Sequence, residues 1–217
     1  TLFRSLLGNG QPALVADLLG LGNAMRKVQR TEDALRYFQE AHEMADGHLG
    51  SHHPYTILAG GGLALALAQE GRLDAAEATV SHTVAAALQV YGDPSPNYAL
   101  ALLQAGQVAE LSSRPDQADA LLEQAAAVIQ TLPRGNDELM ESVLEVQGEH
   151  RVQRGDGAGA EVAYRQLISR ANAVPEAIPV SWQVGLAGAL ALQGRCQEVE
   201  AMLADIPPDA RQAVHCP

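Results

Sequence analysis

The sequence is poor in aromatic residues and in cysteine. Only 4% of its 217 residues are aromatic, and the only cysteines are Cys196 and Cys216. Two cysteines do not make a disulfide framework, so we expect both to be reduced thiols and the protein to be cytoplasmic. Hydrophobic residues make up 47% of the chain, and many of them are alanine. This composition favours thin contacts between helices over one thick core.

Basic residues and long apolar runs are also scarce. The chain has 14 lysine and arginine residues against 26 aspartate and glutamate residues, which gives a net charge of −12. An acidic protein repels phosphate, so we expect no direct nucleic-acid partner. The longest apolar run, residues 57–68, is interrupted by three consecutive glycines and is shorter than a membrane span. We therefore expect no membrane insertion.

Residues 21–41 predict two helices joined by a tight turn. The first helix carries apolar or small residues at i, i+3, i+4 and i+7, which is the spacing of one helical face: Leu18, Leu21, Gly22 and Met25. The second helix carries a similar face: Ala34, Leu35, Phe38 and Ala41. Thr31 is the predicted N-cap of the second helix. The small residues predict that the two helices approach each other closely.

This turn recurs at a fixed period. Residues 29–34 have counterparts at 71–76, 113–118 and 155–160, each displaced by 42 residues, and a fifth copy at 194–199 follows after 39. A separate glycine and proline marker has the same period, with its prolines at positions 12, 54 and 96. Two independent markers with one period predict an array of stacked helical hairpins.

The array divides into five predicted hairpins within a single repeat domain, residues 1–217. The sequence begins without methionine, and residues 1–7 look like the end of a helix from a truncated preceding repeat. We therefore expect the chain to be part of a longer protein. The predicted hairpins cover residues 12–48, 54–91, 96–132, 137–173 and 178–206.

One predicted helix contains Gly60, Gly61 and Gly62 in succession. Each glycine in a helix interior costs roughly 1 kcal/mol relative to alanine, so the run needs a reason. We interpret it as close packing against neighbouring helices. A flexible wall of a binding groove is the alternative.

The pattern of small and large residues resembles the tetratricopeptide repeat (TPR) family, in particular Leu21-Gly22 followed by Met25, Ala34, Phe38 and Ala41. The 42-residue period with a Gly-Ser-His-His-Pro linker at residues 50–54 resembles the repeats of kinesin-light-chain type, which are also common in bacterial regulatory proteins. The resemblance implies an all-α fold, a right-handed superhelix (α-solenoid) of helical hairpins. It also implies a concave groove that is lined by the first helix of each hairpin.

The resemblance further implies a peptide-binding role for this groove. Asn23 falls where the family often uses asparagine to hold a peptide backbone, because an amide both donates and accepts hydrogen bonds. We expect a groove that is cationic at one end, apolar in the middle and acidic at the other end. Its predicted residues are Asn23, Arg26, Lys27, Leu58, Leu65, Gln69, Leu100, Leu103, Gln107 and Glu149.

Other candidate chemistry receives little support from the sequence. His48, His52 and His53 have no nearby carboxylate or cysteine to complete a metal shell, so we interpret them as linker residues and predict no metal or cofactor. Cys196 has no recognisable catalytic partner and is interpreted as a packed or surface thiol. Trp182 is interpreted as a cap over the last hairpin, with partner binding as the alternative. No group of residues predicts an enzyme.

The predicted function is that of a protein–protein interaction scaffold. It would bind a protein or peptide segment in its groove, as a regulatory or targeting module of a larger bacterial protein. Two alternatives stay open. One is a sensor of a small ligand or peptide. The other is a self-association module that forms a homodimer through its terminal repeats.

Overall fold

The computed structural model describes residues 12–133, 135–171, 178–204, 206–207, 214 and 216. These residues form ten α-helices and no strand, which confirms the predicted all-α fold. The predicted helix end at residues 1–7 lies outside the described residues. Among the described helices, none is both long enough and apolar enough to cross a membrane.

The chain divides into two compact units, Thr1–Pro133 and Arg134–Pro217. The first unit contains three helical hairpins, whose helices are α1 (Pro12–Lys27), α2 (Thr31–Leu49), α3 (Pro54–Gln69), α4 (Leu73–Tyr91), α5 (Pro96–Leu111) and α6 (Pro115–Thr131). The second unit contains two hairpins, whose helices are α7 (Asp137–Gln153), α8 (Gly157–Ala171), α9 (Val180–Leu192) and α10 (Cys196–Leu203). Within each unit, every helix packs against the helix that follows it along the chain.

The repeated turn has one backbone conformation in all five described hairpins. Its first residue adopts a left-handed conformation, with φ of 59° at Gln29, 74° at Gly71 and 57° at Ser113. The next residue then donates its N–H to the carbonyl five positions earlier, as from Arg30 to Met25 at 2.9 Å. This Schellman closure satisfies carbonyls that the end of the first helix leaves free. The sequence marker therefore repeats because a left-handed residue is needed every 42 positions.

The helix starts follow two different rules. Helices α3 and α5 begin with proline, and the preceding residue caps each helix: a ring nitrogen of His53 accepts the N–H of Tyr55, and Ser95 Oγ accepts the N–H of Tyr98, both at 3.2 Å. The prediction that Thr31 caps α2 is wrong. Arg30 occupies the N-cap position without a side-chain hydrogen bond, because the Schellman turn already fixes where α2 begins.

The first four hairpins share one packing pair. In each of them a large side chain packs against a small residue sixteen positions earlier in the chain. A methyl group added to Gly22 would lie 2.9 Å from the Phe38 ring, and one added to Gly106 would lie 2.9 Å from Leu122. A methyl group added to Gly148 would lie 2.8 Å from the Tyr164 ring. In the second hairpin the small residue is Ala64, which belongs to the same core cluster as Val80. These pairs recur every 42 residues, so the close approach predicted at Gly22 is confirmed.

The three consecutive glycines of α3 each face a different neighbour. A methyl group on Gly60 would lie 2.5 Å from Thr83 Oγ1 of α4, and one on Gly62 would lie 2.5 Å from the Phe38 ring of α2. A methyl group on Gly61 would collide with Gln104 of α5. The interpretation as close packing is confirmed, because α3 is surrounded on three sides within the first unit.

The expectation of two reduced thiols is wrong. Cys196, the first residue of α10, and Cys216 form a disulfide that closes a sequence separation of 20 residues. Ile206 and Val214, which lie between the two cysteines in sequence, are buried. The bond joins Cys216 to the start of α10, and this pairing could not be read from the cysteine spacing. The sequence argument for a reducing cytoplasm therefore loses its basis.

The turn between α9 and α10 is tied to α8 by polar contacts. Glu161 of α8 accepts hydrogen bonds from Gln193 at 2.9 Å and from Arg195 at 2.7 Å, and it also pairs with Arg165 at 2.8 Å. These donors, with Gln193 making the largest contribution, hold the pKa of Glu161 at about 2. The carboxylate thus stays ionised at neutral pH and anchors the last hairpin.

Trp182 lies on α9 and is buried, with 7% of its surface exposed. Its indole Nε1 donates a hydrogen bond to Glu145 Oε1 of α7 at 3.0 Å. A buried indole usually finds such a partner. Burial and this bond to α7 of the preceding hairpin favour a structural role for Trp182 over partner binding, and its role as a cap over the last hairpin stays a prediction.

Candidate binding groove

The first helices of the three hairpins in the first unit lie side by side. Helix α1 packs against α3, and α3 packs against α5. At the second of these contacts, the amide end of the Gln104 side chain of α5 lies directly over Gly61. The three helices together present one outer face, which we call the first-helix face.

Most of the predicted groove residues of the first unit are accessible to a partner. On α1, Asn23 and Lys27 are exposed and Arg26 is half-buried. On α3, Leu58 is 36% exposed and Gln69 is exposed. On α5, Leu100 and Gln107 are half-buried. The role of these residues in binding stays a prediction.

Two of the predicted groove residues lie in the interior. Leu65 is 6% exposed and Leu103 is 5% exposed. Leu65 belongs to a core cluster with Val80 of α4 and Val108 of α5. Their side chains are therefore used for helix packing, and the apolar part of the accessible face is carried by Leu58 and Leu100.

The tenth predicted residue, Glu149, belongs to a different unit. It is exposed and lies on α7, whereas the other nine residues lie on α1, α3 and α5. Nine of the predicted residues thus belong to the first unit, where Leu65 and Leu103 are buried and the other seven are exposed or half-buried. A binding role for Glu149 stays a separate prediction.

The first-helix face carries few charged residues. Helix α3 has none, α5 has only Glu110, and α1 has Asp17, Arg26 and Lys27. The two basic residues occupy the last turn of α1, where the helix dipole is negative and favours cations. The face is therefore almost uncharged along α3 and α5 and carries two cations at the end of α1.

The histidine linker serves a structural purpose. His53 caps α3, as described above, and His52 Nε2 lies 3.0 Å from Gln89 Oε1 at the end of α4. Among the described residues, no group of three or more histidine, cysteine, aspartate or glutamate side chains is arranged to hold a metal ion. These contacts support the interpretation of His52 and His53 as linker residues.

The structure also contains a cleft that the sequence analysis did not predict. It lies between the second helices α4 and α6, above α5, and has a volume of about 280 Å³. We call it the second-helix cleft. It is lined by Glu77, Val80, Ser81, Val84, Ala105, Val108, Ala109, Arg114, Gln117 and Leu121. The sequence signal for this cleft is the replacement of Leu63 and Leu67 by Ala105 and Ala109 at the equivalent positions of the next repeat.

Comparison with known proteins agrees with this architecture. The sequence matches the Tetratricopeptide repeat family over residues 13–79 and 55–131, which together span more than half of the chain. No curated protein matches the sequence significantly.

Solved structures show the same fold. A kinesin light chain-like protein of Podosopora anserina with nearly identical TPR-like repeats superposes with a TM-score of 0.70 at 18% identity, covering 94% of this chain and 96% of that one. BtubC (BKLC) from P. vanneervenii superposes with a TM-score of 0.70 at 17% identity, covering 93% and 80%. The period, the paired small and large residues and these matches lead to one conclusion: the chain belongs to the tetratricopeptide repeat family.

Proposed function

We propose that the chain is a protein-interaction module that binds an extended partner segment on the first-helix face. TPR repeats are generally protein–protein interaction modules and are typically not enzymes. The observation that carries the proposal is that amide, apolar and basic side chains stay accessible on the adjacent helices α1, α3 and α5. Amides bind a peptide backbone, and apolar residues bind alternate side chains. A regulatory role within a longer protein stays a prediction.

The charge distribution defines the partner segment more closely. The partner segment is apolar where it crosses α3 and α5. Where it meets Arg26 and Lys27, the segment carries an aspartate, a glutamate or a free carboxyl terminus. A basic segment is disfavoured, because the chain offers it only Asp17 and Glu110 on these helices, while two cations repel it. Cytoplasmic localisation stays part of the original hypothesis, and the disulfide does not support it.

The double variant Asn23→Ala with Lys27→Ala is expected to weaken partner binding at least about tenfold, because it removes one backbone clamp and one cation. Both side chains are exposed, so thermal stability is expected to stay unchanged. Binding is measured by titration calorimetry with a partner recovered from cell extract.

The matched control for this test is Gln130→Ala with Arg72→Ala. It also removes one amide and one cation, both exposed, but on α6 and in the turn before α4. Equal affinity of the two double variants would move the binding site away from the first-helix face.

Exposed apolar residues on α1 and in the turn after it favour self-association as a second candidate function. Leu21 of α1 is 44% exposed, and Val28 of the turn is 61% exposed. The residue 42 positions after Leu21 is Leu63, which packs against the core around Phe38 of the preceding hairpin. Leu21 therefore occupies a position that another hairpin covers in the next repeat.

If a second copy covers this face, light scattering of the purified protein will give twice the chain mass, and Leu21→Glu will restore the single-chain mass. Leu88→Glu, an exposed leucine of α4, is the control that should leave the larger mass unchanged. A single-chain mass for the unaltered protein at high concentration would eliminate this candidate.

A further inference from the structure

We propose that the second-helix cleft is a separate anchoring site, and that it takes a leucine side chain from a partner protein. The proposal rests on the proposed function in one respect, since it assumes that the ligand belongs to a protein. It concerns a different surface, however, because the cleft is formed by α4, α5 and α6 and contains none of the predicted groove residues.

The 42-residue period explains why the cleft exists. Ala105 on its floor is equivalent to Leu63 one repeat earlier, and Ala109 is equivalent to Leu67. At the preceding interface both leucines are present: Leu63 packs against the cluster of Ala34, Phe38 and Ala66, and Leu67 is 5% exposed. Two isobutyl groups that fill the space in one repeat are thus replaced by methyl groups in the next.

Two positions on the α4 wall of the cleft have changed in the same direction. Glu77 stands at the position of Leu35, which packs against the Phe38 cluster, and Val80 stands at the position of Phe38 itself. Three lining residues are larger than their equivalents: Val108 replaces Ala66, Gln117 replaces Ala75, and Leu121 replaces Thr79. At Ala105 and Ala109 the loss is of two leucine side chains, so a branched aliphatic group is the shape that restores the packing of the preceding repeat at that point.

The polar rim indicates a polypeptide as the source of this group. Glu77 Oε2 and Arg114 Nη2 form an ion pair at 2.8 Å beside the opening, and Ser81 and Gln117 add a hydroxyl and an amide. A hydroxyl and an amide can bind the backbone of a segment whose side chain enters the apolar floor. An apolar centre with a polar rim is the usual anatomy of an anchoring site at protein interfaces.

The test uses the whole protein with labelled methyl groups and a minimal probe. N-acetyl-L-leucinamide carries a leucine side chain between two peptide groups, and N-acetyl-L-alaninamide is its matched control. On titration, the methyl NMR signals of Val80, Val84, Val108 and Leu121 are expected to move, while that of the distant core residue Val15 stays fixed. The alanine probe is expected to bind at least about tenfold more weakly.

Two cleft-filling variants complete the experiment. Ala105→Leu restores the leucine of the preceding repeat, and the shifts caused by the leucine probe are expected to disappear. Ala109→Leu is the second variant, for use if the first does not fold. Absence of shifts with the leucine probe, equal shifts with both probes, or shifts that persist in a folded filled variant would each overturn the proposal.

The same titration separates this proposal from the proposed function. The Asn23→Ala, Lys27→Ala variant leaves the cleft intact, so the leucine probe is expected to shift its methyl signals as in the unaltered protein. If partner binding proves independent of the first-helix face, the probe titration still shows whether the cleft binds a leucine side chain. If the leucine probe causes no shifts, the binding result for the first-helix face is unaffected.

Discussion

Replacing Phe38 by alanine is expected to lower the free energy of unfolding of the first unit by about 3–5 kcal/mol. Phe38 is 1% exposed, and its ring lies against Gly22 of α1 and Gly62 of α3. Glycine at both contacts offers no side chain on these two sides that could move into the vacated space. A cavity there adds to the lost transfer free energy. Urea unfolding followed by circular dichroism measures the change.

The control for this prediction is Leu88→Ala. Leu88 lies on α4 and is 44% exposed, so its truncation is expected to change the free energy of unfolding by no more than about 0.5 kcal/mol. A loss below about 1 kcal/mol for Phe38→Ala would contradict the packing described here. It would mean that the two glycines do not hold the ring.

The second large effect is expected from Leu65→Glu. Leu65 is 6% exposed and packs against Val80 and Val108, so a glutamate there would place an ionisable group in an apolar cluster. Burial of an unpaired charge is among the few changes that cost more than about 4 kcal/mol. We expect the first unit to be unfolded or largely unfolded at 25 °C, as measured by circular dichroism and by its urea midpoint.

Leu58→Glu is the matched control, because it makes the same change on the same helix at a residue that is 36% exposed. This variant is expected to fold. If Leu65→Glu folds as stably as Leu58→Glu, the side chain of Leu65 faces solvent and the first-helix face extends further across α3. If it unfolds, Leu58 is the residue for a binding test on this helix.

The sequence predicted the hairpin array well because each repeated position has one physical task. The left-handed conformation at Gln29, Gly71 and Ser113 ends one helix and starts the next, so it must return at every turn. The pairing of Gly22 with Phe38 and of Gly106 with Leu122 likewise returns in each of the first four hairpins. Local requirements of this kind are visible in a single sequence.

The accessible face was harder to predict, because it depends on how far each helix is covered along its length. Leu58 and Leu65 are seven residues apart, so they lie on the same side of α3, and both were predicted groove residues. Leu58 lies near the start of α3 and is 36% exposed, whereas Leu65 lies further along the helix and is 6% exposed. Leu65 and Leu103 are covered once the neighbouring hairpins stack, which the pattern of a single helix does not reveal.

The cleft and the disulfide were missed for different reasons. A cleft is a difference between neighbouring repeats, and a search for what the repeats share does not detect it. Ala105 in place of Leu63 is visible only when the two interfaces are compared. The disulfide depends on the path of the chain after α10, which has no repeated pattern to predict it.

The link between Cys196 and Cys216 also bears on how amide hydrogens of the last helix exchange with solvent. Helix α10 has only eight residues, and a helix of that length is unstable by itself in water. Short helices normally open locally and exchange quickly. A covalent bond at the first residue of α10 restricts that opening, together with Val199, which is 2% exposed. Amide exchange rates in α10 are therefore expected to depend on whether the Cys196–Cys216 bond is oxidised or reduced. Samples prepared with reductant are expected to exchange faster in α10 than samples prepared without it.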